Sequence, residues 1–252
     1  MPQNTYAGSY VELKKFYERR GRTAAWEREY SIRLEGIQKV VHEIRPYLQG
    51  GLVLDVGCGS GIPASLFPPN SRVIGLDFSI SMLRRARRRI PQLVQGSGLN
   101  LPFDDCCFDV ITCLFVASDY SDKQDIFHEA FRVLKENGVF AFSDYSLKDE
   151  HWKLRRTIRP LLGEQCHICL EDELSLSEKM REAGLRVEEM KLLRFNASFK
   201  LGRYIKSEEE MQQLKRSSLD LWNDVRQHIK NGKIEREFLF MIGLKMGDGS
   251  ND

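Results

Sequence analysis

The sequence predicts a three-layer α/β/α fold, with one seven-stranded, mostly parallel sheet whose last strand runs antiparallel. Three observations carry that expectation. Short apolar runs alternate with amphipathic stretches through the middle of the chain, the rhythm of βαβ units. The runs are almost continuously apolar, as strands covered on both faces must be. A cluster of glycines follows directly on the first run, at the strand end where a doubly wound sheet receives its ligand.

The elements follow in order. From Tyr10 to Leu48 helix formers dominate, and Ile32, Ile37, Val40, Val41 and Ile44 approximate one apolar helical face. Residues 1–50 read as a helical lid segment and residues 51–252 as the sheet domain, with Pro46 and Gly50-Gly51 as punctuation between them. LVLDV (Leu52–Val56) is the first strand, followed by a glycine-rich turn and a short helix. RVIGLD (Arg72–Asp77) is the second strand, Ser79 to Arg88 the helix after it, and Leu93–Gln95 a weaker third strand. FDVITCLF (Phe108–Phe115) is the fourth, and Lys123–Leu134 a helix with Ile126, Ala130, Val133 and Leu134 inward. The turn Glu136–Gly138 leads into the fifth strand, VFAFSDY (Val139–Tyr145). Beyond Tyr145 the rhythm changes. A helix is expected from Glu171 to Ala183, stopped by Gly184, then a strand over Leu185–Phe195. A long charged helix over Ser207–Ile229 precedes the turn Asn231-Gly232 and a final strand, REFLFMIGLKM (Arg236–Met246). Helical insertions are therefore expected near 147–183 and 196–232, and the short polar stretch after Met246 suits an antiparallel last strand.

Composition bounds the function. Of 252 residues, 42% are hydrophobic and 29% charged, which fits a globular chain and excludes a disordered one. No run approaches the roughly 20 apolar residues that span a bilayer. The first residues lack an apolar signal core, so a cytoplasmic location is expected. Six scattered cysteines read as reduced thiols rather than a disulfide framework. A net charge of +2 neither requires nor excludes a nucleic-acid partner.

The informative segment is VLDVGCGSGIPA (Val53–Ala64). Gly57, Gly59 and Gly61 let the backbone turn tightly and pass close to a ligand. Asp77 ends the next strand about 20 residues on, where an acid can bind a ribose diol. Dinucleotide sites use G-x-G-x-x-G and rest a pyrophosphate on a helix N-terminus. Here the spacing is G-x-G-x-G, and Asp55 stands inside the strand two residues before the first glycine. An acid there repels pyrophosphate and suits a cation. S-adenosylmethionine, with an ammonium and a sulfonium and no phosphate, is the adenosine ligand that the charge argument selects.

With these motifs the chain resembles the class I S-adenosylmethionine-dependent methyltransferases, especially the subgroup of ubiquinone/menaquinone-biosynthesis enzymes. VLDVGCGSG matches that family's first motif and VIGLDFS (Val73–Ser79) its second. GSGLNLPFDDCCFDVITCLF (Gly96–Phe115) and FRVLKENGVFAFSDYS (Phe131–Ser146) match the third-to-fourth-strand stretch and the helix–turn–strand before the fifth. The resemblance implies a Rossmann-like methyltransferase fold. It implies that Gly57, Cys58 and Gly59 approach the methionine moiety, with Asp55 helping to hold its ammonium. Asp77 would take the ribose hydroxyls, Phe78 and Met82 would pack beside the adenine, and Ser97, Gly98 and Leu99 would border it. Phe115, at the end of the fourth strand, and Tyr17, from an aromatic lid, complete the implied cofactor set. Two positions depart from the family: Ser97 stands where an Asp is common, and FVASDYSD (Phe115–Asp122) lacks the His often found there.

No catalytic residue can be named from the sequence, because in-line methyl transfer needs positioning and exclusion of water more than a base. Asp119, Tyr120, Asp144 and Tyr145 lie just past the fourth and fifth strands, and each also reads as a loop polar group or helix cap. Arg84, Arg85, Arg87, Arg88 and Arg89 read first as a solvated helix face and second as a surface for RNA or an acidic partner. Cys166-His167-Ile168-Cys169 lacks the second pair that zinc requires, so no metal is expected. Tyr10, Phe16, Tyr17, Trp26 and Tyr30 read as core packing or as a pocket lid. Trp152, Ile158, Leu161 and Leu162, with Met211, Leu214, Leu219, Leu221, Trp222 and Val225, could cover an apolar acceptor or form a dimer contact. The expected function is methyl transfer from S-adenosylmethionine to a small or mid-sized organic acceptor. The alternatives are an RNA or protein methyltransferase and a non-catalytic S-adenosylmethionine-binding module.

Overall fold

A computed structural model describes residues 10–23, 25–164 and 168–247, with the side chains of Tyr10 and of residues 25–29 outside the description. Two helices come first, α1 (Tyr10–Gly21) and α2 (Ala25–Ile44). Strands β1 (Leu52–Val56), β2 (Arg72–Asp77), β3 (Gln92–Gln95), β4 (Phe108–Leu114) and β5 (Leu134–Tyr145) follow, with α3 (Ile80–Ala86) after β2 and α4 (Gln124–Val133) after β4. The remainder is α5 (Glu150–Leu161), α6 (Glu173–Glu182), β6 (Leu185–Ser198), α7 (Glu208–Ser217), α8 (Leu219–Asn231) and β7 (Lys233–Lys245). The seven strands make one sheet in the order β3-β2-β1-β4-β5-β7-β6. Strands β1 to β5 pair in parallel, and β7 runs antiparallel to both β5 and β6, as expected.

The strands are apolar because both sheet faces are covered. On one face, α2, α3, α5 and α8 close a core around Ile37, Val41, Ile44, Val53, Ala141, Ile158, Val225 and Phe240. On the other, α4 and α6 cover Leu54, Ile111, Phe127, Phe140, Met180 and Met241. Alternate residues of one strand serve opposite cores, the period of two inherent in the pleat. The order reverses between β1 and β4, which opens a crevice beyond their carboxyl ends. Helix α1 lies across α3 at that end, held by the Glu18 carboxylate, which accepts from the Ile80 N–H at 2.8 Å and from the Ser81 hydroxyl.

Local chemistry moves several expected boundaries. The helix expected after β1 is a short 3-10 turn, Ala64–Leu66, because Pro63 and Pro68-Pro69 leave too few residues between them for an α-helix. The long helix expected over Ser207–Ile229 is two helices. Ser218 is extended, and its hydroxyl accepts from the Leu221 N–H at 3.3 Å, capping α8. Strand β5 begins at Leu134 and carries the expected turn within it as an irregularity, with Asn137 at φ +60° and the register to β4 shifting between Phe108 and Val110.

Candidate active site

The site is built on the turn after β1. Gly57 has φ +67°, and a Cβ there would lie 2.4 Å from Val116 Cγ2, in the segment that follows β4. The turn is thus pressed against the next strand end, and only glycine allows it. The Cys58 N–H donates to the Leu76 carbonyl at 2.9 Å, which ties the turn to β2. The Gly59 N–H donates to Asp77 Oδ2 at 2.9 Å, and the Ser79 N–H donates to Asp77 Oδ1 at 2.8 Å. One carboxylate at the end of β2 therefore fixes both the glycine turn and the start of α3.

Asp55 lies on the other side of the turn, 2% exposed. The Thr112 hydroxyl on β4 donates to its Oδ1 at 2.7 Å, while its buried Oδ2 has no partner among the described residues. Burial pushes the Asp55 carboxyl up to about 7, with the charge of Asp77 adding to it. Burial likewise raises Asp77 to about 6, against the two N–H donors that pull it down. Two acids that are costly to ionise without a partner thus flank one backbone turn.

The other expected residues gather around this pair to different degrees. The Tyr17 hydroxyl, from α1, donates to Asp119 Oδ2 at 2.5 Å, and its ring meets Phe78 edge-on at 5.6 Å. Burial raises Asp119 to about 7. Gly98 sits against β1, where a Cβ would lie 2.9 Å from Val56 Cγ1, and the Leu99 N–H donates to the Ser97 hydroxyl at 3.2 Å. Met82 is wholly buried, its N–H donating to the Ser79 hydroxyl that caps α3. Phe115, at φ +62°, turns toward the far side, its ring 5.6 Å from Tyr145 and 4.5 Å from Phe238.

Of the polar residues past β4 and β5, Asp144 is buried, raised to about 6 by burial against the pull of Lys123. Tyr145 points to the α2 side, where Arg33 donates to its hydroxyl. Tyr120 is 1% exposed and part of the core. Arg33 and Arg236 were not singled out from the sequence, although a signal exists for each. Arg33 shares the helical face of Tyr30, Ile37 and Ile44, and Arg236 shares the strand face of Phe238 and Phe240. A charged residue in a slot that the pattern reserves for the core is a pointer to a site.

The arginine run is divided. Arg84, Arg85 and Arg88 line a groove of about 320 Å³ with Gly21, Arg22 and Ser81. Arg85 donates to the Gly21 carbonyl, and Arg89 donates to the Ser60 carbonyl at 3.1 Å, so two of the arginines fasten α1 and the glycine turn. Arg87 is exposed. Cys166 and His167 lie outside the described residues, while the Cys169 N–H donates to the Ser118 carbonyl at 2.8 Å. Among the described residues, no group of three or more His, Cys, Asp or Glu side chains gathers to hold a metal. The side chains of Tyr10 and Trp26 are also outside the description. Leu214 of α7 and Val225 of α8 are buried in one core cluster with Phe238 and Phe240, whereas Leu219 is largely exposed.

The sequence profile of the family described as "Methyltransferase domain" matches residues 54–142, the stretch from β1 into β5 that holds the turn, Asp55 and Asp77. The demethylmenaquinone methyltransferase of Corynebacterium kroppenstedtii is 38% identical over 98 residues, which span 38% of this chain and 43% of that one. The demethylmenaquinone methyltransferase of Listeria welshimeri is 30% identical over 174 residues, 62% of this chain and 69% of that one. The chain belongs to the class I S-adenosylmethionine-dependent methyltransferase family. Its fold agrees with that membership: a Bacillus halodurans C-125 protein assigned as a methyltransferase superposes with a TM-score of 0.66 at 23% identity, over 83% of this chain and 99% of that one. For this methyltransferase, the segment matched by the family profile ends within β5, before α5.

Proposed function

We propose that the protein transfers the methyl group of S-adenosylmethionine to a small or mid-sized organic acceptor. The observation that carries this reading is the pair of buried carboxyls on either side of the glycine turn, one of them with an unpartnered oxygen. They suit a cationic, phosphate-free nucleoside and oppose a pyrophosphate. In this reading Asp77 takes the sugar hydroxyls with the lone pairs its two N–H donors leave open. Asp55 and the backbone of Gly57, Cys58 and Gly59 receive the ammonium end. Phe78, Met82, Ser97, Gly98 and Leu99 surround the base, and Phe115 borders the sulfur side. When bound, S-adenosylmethionine supplies an electrophilic methyl carbon. The protein's own part is to orient the acceptor and to exclude water. Helix α1 is the lid: Tyr17 spans the crevice to Asp119, while α2 belongs to the helical layer over β6 and β7.

The names of the Corynebacterium and Listeria relatives favour a small-molecule acceptor. The arginine groove between α1 and α3 is the feature that would serve RNA instead; retention on RNA that weakens steeply with salt would support that use. Release of S-adenosylhomocysteine in the presence of small-molecule extract separates an enzyme from a binding module. A cytoplasmic setting fits the five described cysteines, all free. No described helix is long and apolar enough to cross a membrane. The decisive experiment is Asp77→Ala with S-adenosylhomocysteine in a calorimeter. A loss of affinity of at least about tenfold is expected, from removal of charge-assisted hydrogen bonds; an unchanged affinity overturns the site.

A further inference from the structure

We propose that the groove between α1 and α3 is a binding site for a small polyphosphate anion, which clamps the lid helix onto the sheet domain from outside the cofactor pocket. None of its lining residues belongs to the glycine turn or to the residues assigned to the cofactor. Only the coupling to the cofactor rests on the methyl-transfer reading.

The groove forms where two helices touch. Gly21, the last residue of α1, is buried, and a Cβ there would lie 2.6 Å from Ser81 Cβ on α3. The missing side chain lets the helices meet. Beside that contact the walls open into a space of about 320 Å³, lined by Gly21, Arg22, Ser81, Arg84, Arg85 and Arg88. Arg22 comes from the α1 side, Arg84 and Arg85 from α3, and Arg88 from the turn that follows it. Arg85 is committed in part, since its Nε donates to the Gly21 carbonyl. Arg22, Arg84 and Arg88 are exposed, and none of the three has a side-chain hydrogen bond or ion pair with another described residue.

This charge lacks a balancing acid. The carboxylate at the crossing is Glu18, whose oxygens accept from the Ile80 N–H at 2.8 Å and from the Ser81 hydroxyl. Residues 1–9, ahead of α1, contain no acid. Cations on both walls repel one another, and a multivalent anion between them turns that repulsion into attraction. Planar guanidinium forks match phosphate oxygens two at a time, which a lysine cannot do. The groove has no aromatic lining on which a base could stack, and the exposed Phe16 already carries the Arg20 guanidinium over its ring at 4.9 Å. A space of this size and chemistry suits a di- or triphosphate rather than a run of nucleotides.

The clamp acts through the lid. Helix α1 carries Tyr17 across the crevice to Asp119, and Glu18 to the start of α3. An anion shared by Arg22 on one wall and by Arg84 and Arg88 on the other adds a further tie, available only while α1 is docked. It therefore binds the docked state in preference. By linkage, the anion and the cofactor tighten each other's binding by the same factor.

The test titrates pyrophosphate into the full chain by calorimetry at low ionic strength, with and without S-adenosylhomocysteine. Asp55 and Asp77 oppose pyrophosphate at the glycine turn, so the probe reports the groove. Saturating pyrophosphate should tighten S-adenosylhomocysteine binding at least about threefold, and should slow hydrogen exchange in α1 whether or not S-adenosylhomocysteine is present. The double variant Arg84→Gln/Arg88→Gln should weaken pyrophosphate at least about tenfold and abolish both effects, with S-adenosylhomocysteine alone bound as by the wild type. Arg87→Gln, in the same run but outside the groove, should leave pyrophosphate binding in place. An equal loss in Arg87→Gln, unchanged exchange in α1, or S-adenosylhomocysteine binding unmoved by pyrophosphate overturns the proposal. So does an oligouridine that far outbinds pyrophosphate and loses its grip in the same double variant, which would make the groove an RNA surface. If pyrophosphate slows exchange in α1 but S-adenosylhomocysteine does not bind at all, the clamp stands and the methyl-transfer reading falls.

Discussion

Gly57 occupies a position that no other residue type can take without moving a neighbouring strand end. Its φ of +67° is unfavourable for an L side chain, and the nearest atom to an added Cβ belongs to Val116 at 2.4 Å. Gly57→Ala is expected to cost about 1–3 kcal/mol in urea unfolding and to weaken S-adenosylhomocysteine binding, as calorimetry would read. A variant with wild-type stability would mean that the turn is not held there. This residue and Asp77 were legible in the sequence because their demands are local: a turn needs glycine, and a strand end with an acid needs only its own position. Tyr17 with Asp119 and Arg33 with Tyr145 are partners across 102 and 112 residues, and no local pattern announces such a pairing. Tyr17 was singled out for its aromatic surroundings, while Asp119 was one of four polar residues with nothing to rank them. The hydrogen bond between them supplies the ranking.

At the scale of elements, a single side chain, Asp149, both starts α5 and joins it to the sheet. Asp149 is wholly buried and caps α5 by accepting from the Trp152 N–H at 3.0 Å. Its second oxygen accepts from Arg236 Nε at 2.7 Å and from the Glu237 N–H at 3.0 Å, joining the helix to β7. Asp149→Ala removes a cap and strands a buried guanidinium, for an expected loss of about 3–5 kcal/mol in chemical denaturation. A loss below about 1 kcal/mol, no more than a cap alone contributes, would mean that the ion pair adds nothing. The strands β1, β2 and β4 were legible to within a residue because their apolar runs are bounded by sharp punctuation. Boundaries failed where punctuation was subtle. Ser218 reads as one more polar residue on a charged helical face, yet its hydroxyl starts a new helix. After β1, apolar residues suggested a helix, and flanking prolines set the length to a 3-10 turn.

Over the whole molecule, the buried carboxyls give stability an unusual dependence on pH. Burial raises Asp55 and Asp119 to about 7 and Asp77 and Asp144 to about 6. Each binds its proton more tightly folded than unfolded, where an aspartate titrates near 3.9. The folded state therefore holds more protons between about pH 4 and pH 7, and stability falls as pH rises through that window. Glu129, Glu171 and Glu237 are lowered by their ion pairs and hydrogen bonds, and they act in the opposite sense only at lower pH. The urea midpoint is expected to fall between about pH 5.5 and pH 7.5; a midpoint that rises would contradict the burial of these groups. Binding of the cationic cofactor favours the ionised carboxyls, so it should release protons near pH 6.5. Calorimetry in two buffers of different ionisation enthalpy would detect the release.

The position of β7 has a consequence for how the chain is made. It is the latest strand in chain order, yet it fills the gap between β5 and β6. Until residues 233–245 leave the ribosome, both neighbours present bare amide edges, and each can accept the wrong strand or a second nascent molecule. The same late segment brings Arg236 and the Glu237 N–H to Asp149, so a polypeptide stalled before it would own its glycine turn without the bonds that fasten α5 to the sheet.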